Sequence, residues 1–303
     1  MRVLVTGANG FIGTHAVRRL LDRGHTVRSL VWPTDQDGNS RLQTEWGADV
    51  VTGDFEDPSD AARVLDGMDG VVHLIGSIKK PDTGSFEQMH RAKTEGMVAA
   101  AKAAGVRRIV YISAPGASAA ARSEYLRTKF QAEEAIRAGG IEWVVLRCSL
   151  VVGRRVGERD SKLVRRYLDM AKTKAKVPVL GSGENELQPV HVANLAEIIE
   201  MALTTEGANG RVFGIGGPEI LTMNQIVSGI LRAAGCPDKP VKHLPMPLVK
   251  ILSRVLPLFM KDPPVERAQV LAMEETVRVN VDEALSAFPV DLIRFEEALA
   301  DYQ

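Results

Sequence analysis

The feature that most narrows the folds open to this chain is a glycine-spaced loop beginning at residue 7 of 303. Val3-Leu4-Val5, a short apolar and β-branched run, leads directly into Thr6-Gly7-Ala8-Asn9-Gly10-Phe11-Ile12-Gly13. An amphipathic pattern follows, with Ile12, Ala16, Leu20 and Leu21 on one face and Gly24 closing it. Strand, glycines and helix in this order suit a backbone that must approach a phosphate. One glycine permits the tight turn, one lets the main chain near a pyrophosphate, and one lets helix and strand pack closely. The helix start adds unpaired N–H groups and the positive end of its dipole. Gly7, Asn9, Gly10, Phe11, Ile12 and Gly13 are therefore the first candidate binding residues. The alternative is a glycine turn with no ligand.

Further apolar runs recur at Val27 to Val31, Val50-Val51, Val71 to Ile75, Ile109 to Ile112 and Trp143 to Leu146. Most are continuous rather than alternating, as strands buried on both faces of a parallel sheet should be. Helical patterns lie between them, one from about Phe86 to Ala104 and one from about Ser123 to Ala138. This alternation predicts an α/β fold: a Rossmann-type doubly wound parallel sheet with a smaller C-terminal substrate domain. Residues 1–150 form the expected dinucleotide-binding domain and 151–303 the substrate domain. Residues about 189–215 are expected to return to the first.

The 38 basic and 38 acidic side chains cancel, so no global field recruits nucleic acid. A small-molecule substrate is the expected partner. Cys148 and Cys236 stand far apart, which argues against a zinc site or a disulfide framework. No uncharged apolar run approaches the ~20 residues of a membrane span. Met1-Arg2 runs straight into a strand without a signal core, so the cytoplasm is the expected location. Two local biases stand out. Between Gly153 and Lys176 there are nine Lys or Arg against three Asp or Glu, read as a solvated helix face or, less simply, an anion site. Between Lys242 and Lys261 a proline-broken apolar stretch is expected to pack as core. Its alternatives are a pocket roof, a partner contact or a membrane-surface element.

Tyr125-Leu126-Arg127-Thr128-Lys129 places a phenol and an ammonium one helical turn apart. A free phenol has a pKa near ~10, and a neighbouring cation is expected to lower it. Ser113, at the end of the fifth predicted strand, is expected to steady a substrate oxygen beside Tyr125. Ser113, Tyr125 and Lys129 are the candidate catalytic residues. The alternative is a helix whose Tyr125, Lys129, Ala132 and Ile136 merely face the sheet.

These motifs together resemble the short-chain dehydrogenase/reductase superfamily, in its extended or atypical branch. The resemblance implies an adenine contact from Asp54 and Phe55 in Thr52-Gly53-Asp54-Phe55. It implies a cofactor-lining segment at Leu74, Ile75 and Gly76 after His73, and a ribose contact from Lys129. Where NAD-preferring relatives end the second strand with an acid, Val31 and Trp32 stand here, with Trp32 a candidate cofactor contact. That absence leans the NAD(P) cofactor toward NADP. Arg28 and Arg41 are candidate phosphate partners or ordinary surface charge, and Asp35 and Asp37 a solvated loop. His90 occupies a place where many relatives carry asparagine, as a relay member or a packed histidine. Asn194 replaces a more usual aspartate, and His191 is read as a substrate contact or a structural hydrogen bonder. Ser113-Ala114-Pro115-Gly116, the proline-rich stretch and the closing segment through Phe295-Glu296-Glu297-Ala298-Leu299 carry a narrower likeness. It is to the group containing the nucleotide-binding accessory subunit of respiratory complex I. The implied function is an NAD(P)-dependent oxidoreductase, or an epimerase or dehydratase, acting on an alcohol or carbonyl. The alternative is a non-catalytic NADP(H)-binding structural or sensing protein.

Overall fold

The computed structural model describes residues 1–31, 42–43, 45–79, 84–154, 156, 161–256, 259–260, 267–275 and 278–302. Its centre is a sheet of β1 (Arg2–Thr6), β2 (Thr26–Val31), β3 (Asp49–Thr52), β4 (Gly70–His73), β5 (Arg108–Ser113), β6 (Glu142–Cys148) and β7 (Arg211–Ile215). The strands lie in the order β7-β6-β5-β4-β1-β2-β3, every neighbouring pair parallel. This is the expected doubly wound arrangement, and its order reverses at β1. β4 and β5 are buried at every residue, which is why their sequences run apolar without alternation.

The helices are α1 (Phe11–Asp22), α2 (Pro58–Leu65), α3 (Lys93–Ala103), α4 (Glu124–Ala138), α5 (Lys162–Thr173), α6 (Val192–Thr204), α7 (Met223–Ala233), α8 (Met246–Val255), α9 (Arg267–Glu275), α10 (Asp282–Ala287) and α11 (Phe295–Ala300). Ala16, Val17 and Leu20 of α1 and Leu195, Ile199 and Leu203 of α6 share one core with Val3, Val5, Val72 and Val144. Leu65, Met97, Ala101, Ala132 and Ile136 of α2, α3 and α4 share another with Leu4, Val71, Ile109 and Tyr111. Each such fully buried aliphatic side chain contributes about 1.5–3 kcal/mol. The helical pattern predicted from Phe86 to Ala104 is not uniform: Gln88–Ala92 form a π-helical turn that runs into α3.

Beyond β6 the chain leaves the sheet, returns through α6 to β7, and leaves again. A separate core joins Val164 and Leu168 of α5, Ile226 and Ile230 of α7, and Phe295 and Leu299 of α11. It includes Val177 and Val179, from a strand paired in parallel with Val241–Leu244. The apolar stretch at 242–261 does not pack as that core. Val249 is buried against α9's side of the helix, but Leu248, Ile251, Val255, Phe259 and Met260 are exposed among the described residues.

Candidate active site

At the carboxyl end of β1 the chain turns through Gly7, whose φ of 64° glycine adopts without strain. A Cβ on Gly13 would lie 2.2 Å from the Gly7 carbonyl oxygen, so α1 can approach the turn this closely only with glycine there. The Gly10 N–H closes the turn on Gly7 O at 2.9 Å, and the Ala8 N–H donates to Leu30 O at 3.2 Å. Gly10 caps α1 with no side chain, which leaves the first-turn N–H groups of Phe11, Ile12 and Gly13 without an intrahelical acceptor. Asn9 is buried beneath the loop. An uncapped helix start, stripped of Cβ atoms at the strand-order switch point, fits the pyrophosphate of a dinucleotide.

The segment after β4 joins this loop to the other half of the site. A Cβ on Gly7 would lie 3.4 Å from the Leu74 carbonyl carbon. Two residues further, a Cβ on Gly76 would lie 3.3 Å from both His90 Nε2 and Lys129 Nζ. Leu74, Ile75 and Gly76 thus run from the glycine loop to the Lys129 ammonium.

Tyr125 sits in the first turn of α4 and Lys129 one turn later. The Lys129 ammonium donates to the Ile112 carbonyl at 2.6 Å and stands 4.2 Å over the Tyr111 ring. Burial pulls it down to about 7, against the raising effects of Glu133 and Cys148. Tyr125 packs against Ala114, Ala121, Leu126 and Ala272. Its ring meets Phe86 at 6.3 Å and His90 at 5.6 Å, both edge-on. Burial pushes the phenol up to about 12, with Cys148 adding to it. The sequence pattern predicts the reverse, a phenol lowered by the lysine; burial raises it instead. At neutral pH Tyr125 is a protonated donor.

The Ser113 hydroxyl donates to Glu133 Oε1 at 2.5 Å. Glu133 is fully buried in α4 and also accepts from Arg147 Nε at 3.0 Å and Nη2 at 2.7 Å, and from Arg137 Nη2 at 3.1 Å. Ala114, the next residue after Ser113, packs with Tyr125. Glu133 was not among the residues read from the sequence. Its signal was its place, four residues beyond Lys129 and eight beyond Tyr125 on the same helix face.

His90 is buried in the π-helical turn, stacked on Phe86 at 5.7 Å. The Thr128 hydroxyl donates to the Glu124 and Tyr125 carbonyls, so His90 Nδ1–H donates to it at 2.8 Å. Nε2 is then the acceptor, meeting the Ser77 N–H at 3.4 Å. Burial drives this imidazole down to about 2, with the Lys129 charge adding, so it stays neutral. His73 is equally enclosed. Thr94 donates its hydroxyl proton to His90 O, so His73 Nε2–H donates to Thr94 at 3.0 Å and Nδ1 accepts from Thr6 at 2.9 Å. His73 links β1, β4 and α3.

Other expected residues fall outside this cluster. The Asp54 carboxylate, following β3, is held by Lys93 and by the Glu56 N–H at 3.1 Å. Burial alone would raise it, but these hydrogen bonds prevail and lower it. Phe55 is buried beside the His73 ring. Arg28 is committed to Asp49 at 2.7 Å and to the Val64 and Asp66 carbonyls at 3.1 and 3.0 Å, which removes it as a phosphate partner. Trp32, Asp35, Asp37 and Arg41 lie outside the described residues. Asn194 bridges the Asp291 carbonyl and the Ile293 N–H, and His191 caps α6 and bonds Asp301 at 3.0 Å. Both are structural hydrogen bonders. Arg165 and Arg166 of the basic segment are exposed on α5.

Among relatives of known name, the chain is 28% identical over 271 residues to 2-alkyl-3-oxoalkanoate reductase of Stenotrophomonas maltophilia, covering 80% of this chain and 78% of that one. It is 27% identical over 253 residues to the mitochondrial NADH dehydrogenase (ubiquinone) 1 alpha subcomplex subunit 9 of Arabidopsis thaliana. That match takes in 82% of this chain but 61% of the subunit's length. The UDP-glucuronic acid 4-epimerase of Bacillus cereus, solved with UDP-glucuronic acid and NAD, shares the fold at a TM-score of 0.77. Identity there is 20%, over 100% of this chain and 98% of the epimerase. The family model for NAD dependent epimerases and dehydratases matches residues 3–216, more than half the chain, in the segment that carries the glycine loop, Tyr125 and Lys129. The chain belongs to the NAD dependent epimerase/dehydratase family.

Proposed function

We propose that this protein is an NAD(P)-dependent reductase of an apolar carbonyl compound, with Tyr125 as proton donor and Lys129 as its partner. The observation that carries the reading is the run Leu74 to Gly76, which leads from the glycine loop to Lys129 and His90. The amides of residues 11 to 13, with Gly7 and Gly10, would hold the pyrophosphate, and Leu74 to Gly76 would line the path toward the nicotinamide. When bound, the dinucleotide supplies or accepts a hydride. The Tyr125 hydroxyl gives its proton to the substrate oxygen, a role suited to a phenol held at about 12. Lys129 places its positive charge beside the phenolate so formed and reaches the ribose side of the site. Ser113 acts through Glu133 rather than on substrate. His90, with Nε2 free of a proton, keeps the Gly76 side of the site polar and uncharged.

The likeness to a reductase whose name gives a 3-oxoalkanoate favours an apolar carbonyl substrate. NADP(H) is favoured over NAD(H) because Val31, not an acid, ends β2. The test is Tyr125→Phe assayed on 3-oxo acids and esters with each dinucleotide. Turnover should fall by about 10²–10⁴-fold while dinucleotide affinity stays within about twofold. Unchanged turnover would remove Tyr125 from the chemistry. A second reading, a nucleotide-binding subunit without turnover, is supported by the 27% likeness to the NADH dehydrogenase subunit. It predicts a purified chain that retains its dinucleotide and reduces none of these substrates.

A further inference from the structure

Helix α8 presents an apolar stripe to solvent. Leu248, Ile251 and Val255 recur at helical spacing on one face and are 44%, 58% and 41% exposed. Phe259 and Met260 extend the patch at 80% and 46%. The opposite face carries the buried Val249 and Ser253, and Lys250 is tied to Glu274 of α9 at 2.7 Å. Five large apolar side chains grouped in solvent are a liability unless something covers them.

Charge narrows what that is. From Lys239 to Met260 the sequence contains Lys239, Lys242, Lys250 and Arg254, and no Asp or Glu. A twofold pairing of two copies through this face would set the same cations against one another. Lys250 is paired with Glu274, but Lys242 and Arg254 are exposed, and the complement of an apolar stripe with such cations is an anionic surface with hydrocarbon beneath it. α8 has ten residues, and no helix among those described is long and apolar enough to cross a membrane. A short helix with apolar residues on one face and cations alongside lies in the plane of a bilayer surface.

We infer that α8 docks this protein on the surface of an anionic lipid bilayer, with Leu248, Ile251, Val255 and Phe259 entering the acyl boundary and Lys242 and Arg254 meeting headgroups. Docking there also places the candidate site beside the membrane. α9, on which α8 rests, contributes Ala272 to the cluster around Tyr125, and the Ser123 hydroxyl ahead of α4 donates to Ala268 O at 3.0 Å. The inference goes beyond the carbonyl chemistry proposed above and does not depend on it.

The experiment is co-sedimentation of the full chain with extruded vesicles, either equal parts phosphatidylglycerol and phosphatidylcholine or phosphatidylcholine alone. Binding to the anionic vesicles, weakened by salt, is expected. Ile251→Glu with Phe259→Glu, and separately Lys242→Glu with Arg254→Glu, should each lower the bound fraction on the order of tenfold or more. Lys242, Ile251, Arg254 and Phe259 are all exposed, so thermal melting and dinucleotide titration of both variants should match the parent. Failure to bind either vesicle, or parent-like binding by both variants, overturns the inference. So does a dimer in sedimentation velocity that Ile251→Glu dissociates, since the face would then belong to a second copy. Dinucleotide titration of the same samples reports on the active-site reading separately.

Discussion

Glu133 has no solvent exposure, and its two oxygens serve a serine hydroxyl and two guanidinium groups. A charge so enclosed is stable only while its partners remain. Glu133→Gln should therefore lower stability by ~1–3 kcal/mol, less than a fully buried pair because both arginines are partly exposed. The urea midpoint measures this, and a parent-like midpoint would show that the network contributes little. Glu133 also raises the Lys129 pKa, so the variant should titrate that ammonium at lower pH. Tyr125 and Lys129 were legible in the sequence because a four-residue spacing fixes a shared helix face. Ser113 was legible as a strand-end hydroxyl, but its bond to Glu133 was not, since that depends on how α4 packs on β5. Arg28 could not be judged from sequence, since its partners lie on β3 and α2, and Asp49 is 21 residues away.

Among the elements, β1 to β6 and α4 were legible almost to their ends, because continuous β-branched runs and clean amphipathic faces leave few alternatives. The π-helical turn at Gln88–Ala92 was not. Its residues have ordinary helix propensities, and the extra backbone residue per turn is set by how His90 packs between Phe86 and Thr128. The exposure of α8 was likewise hidden, since an apolar stripe looks the same whether buried or bare. The glycine loop supports a sharper expectation. Gly13→Ala would drive a methyl group to 2.2 Å from Gly7 O, so α1 must move off the turn. Dinucleotide affinity should drop by about tenfold or more and stability by ~1–3 kcal/mol. Fluorescence titration with NADPH and a thermal melt test both, and an unperturbed affinity would mean the pyrophosphate does not lie on this helix start.

For the molecule as a whole, three buried bases make stability depend on pH without dinucleotide. Burial holds His73 at about 3 and His90 at about 2, below the ordinary 6.5. Below about pH 6.5 the unfolded chain takes up protons that the folded one refuses. Stability should then fall by about 1.4 kcal/mol per pH unit for each histidine. Lys129, lowered from 10.5 to about 7, acts in the same direction at higher pH, so its contribution rises between those values. Urea midpoints near pH 5 and pH 9 should differ accordingly, and His90→Asn should flatten the acid limb by one proton. An unchanged slope in that variant would place His90 in contact with solvent.

The route of the chain through this molecule has one more consequence. β7 lies against β6 along the whole of Arg211–Ile215, yet the chain between the two strands runs out through α5 of the separate core and back through α6. The separate core is thus laced into the sheet instead of following it in tandem. Truncation near residue 150 would strip β6 of its outer neighbour and bare a ladder of backbone groups, while the severed remainder would carry an orphan strand. The segment before residue 150 is thus not a cassette that gene fusion or fragment exchange could lift out whole.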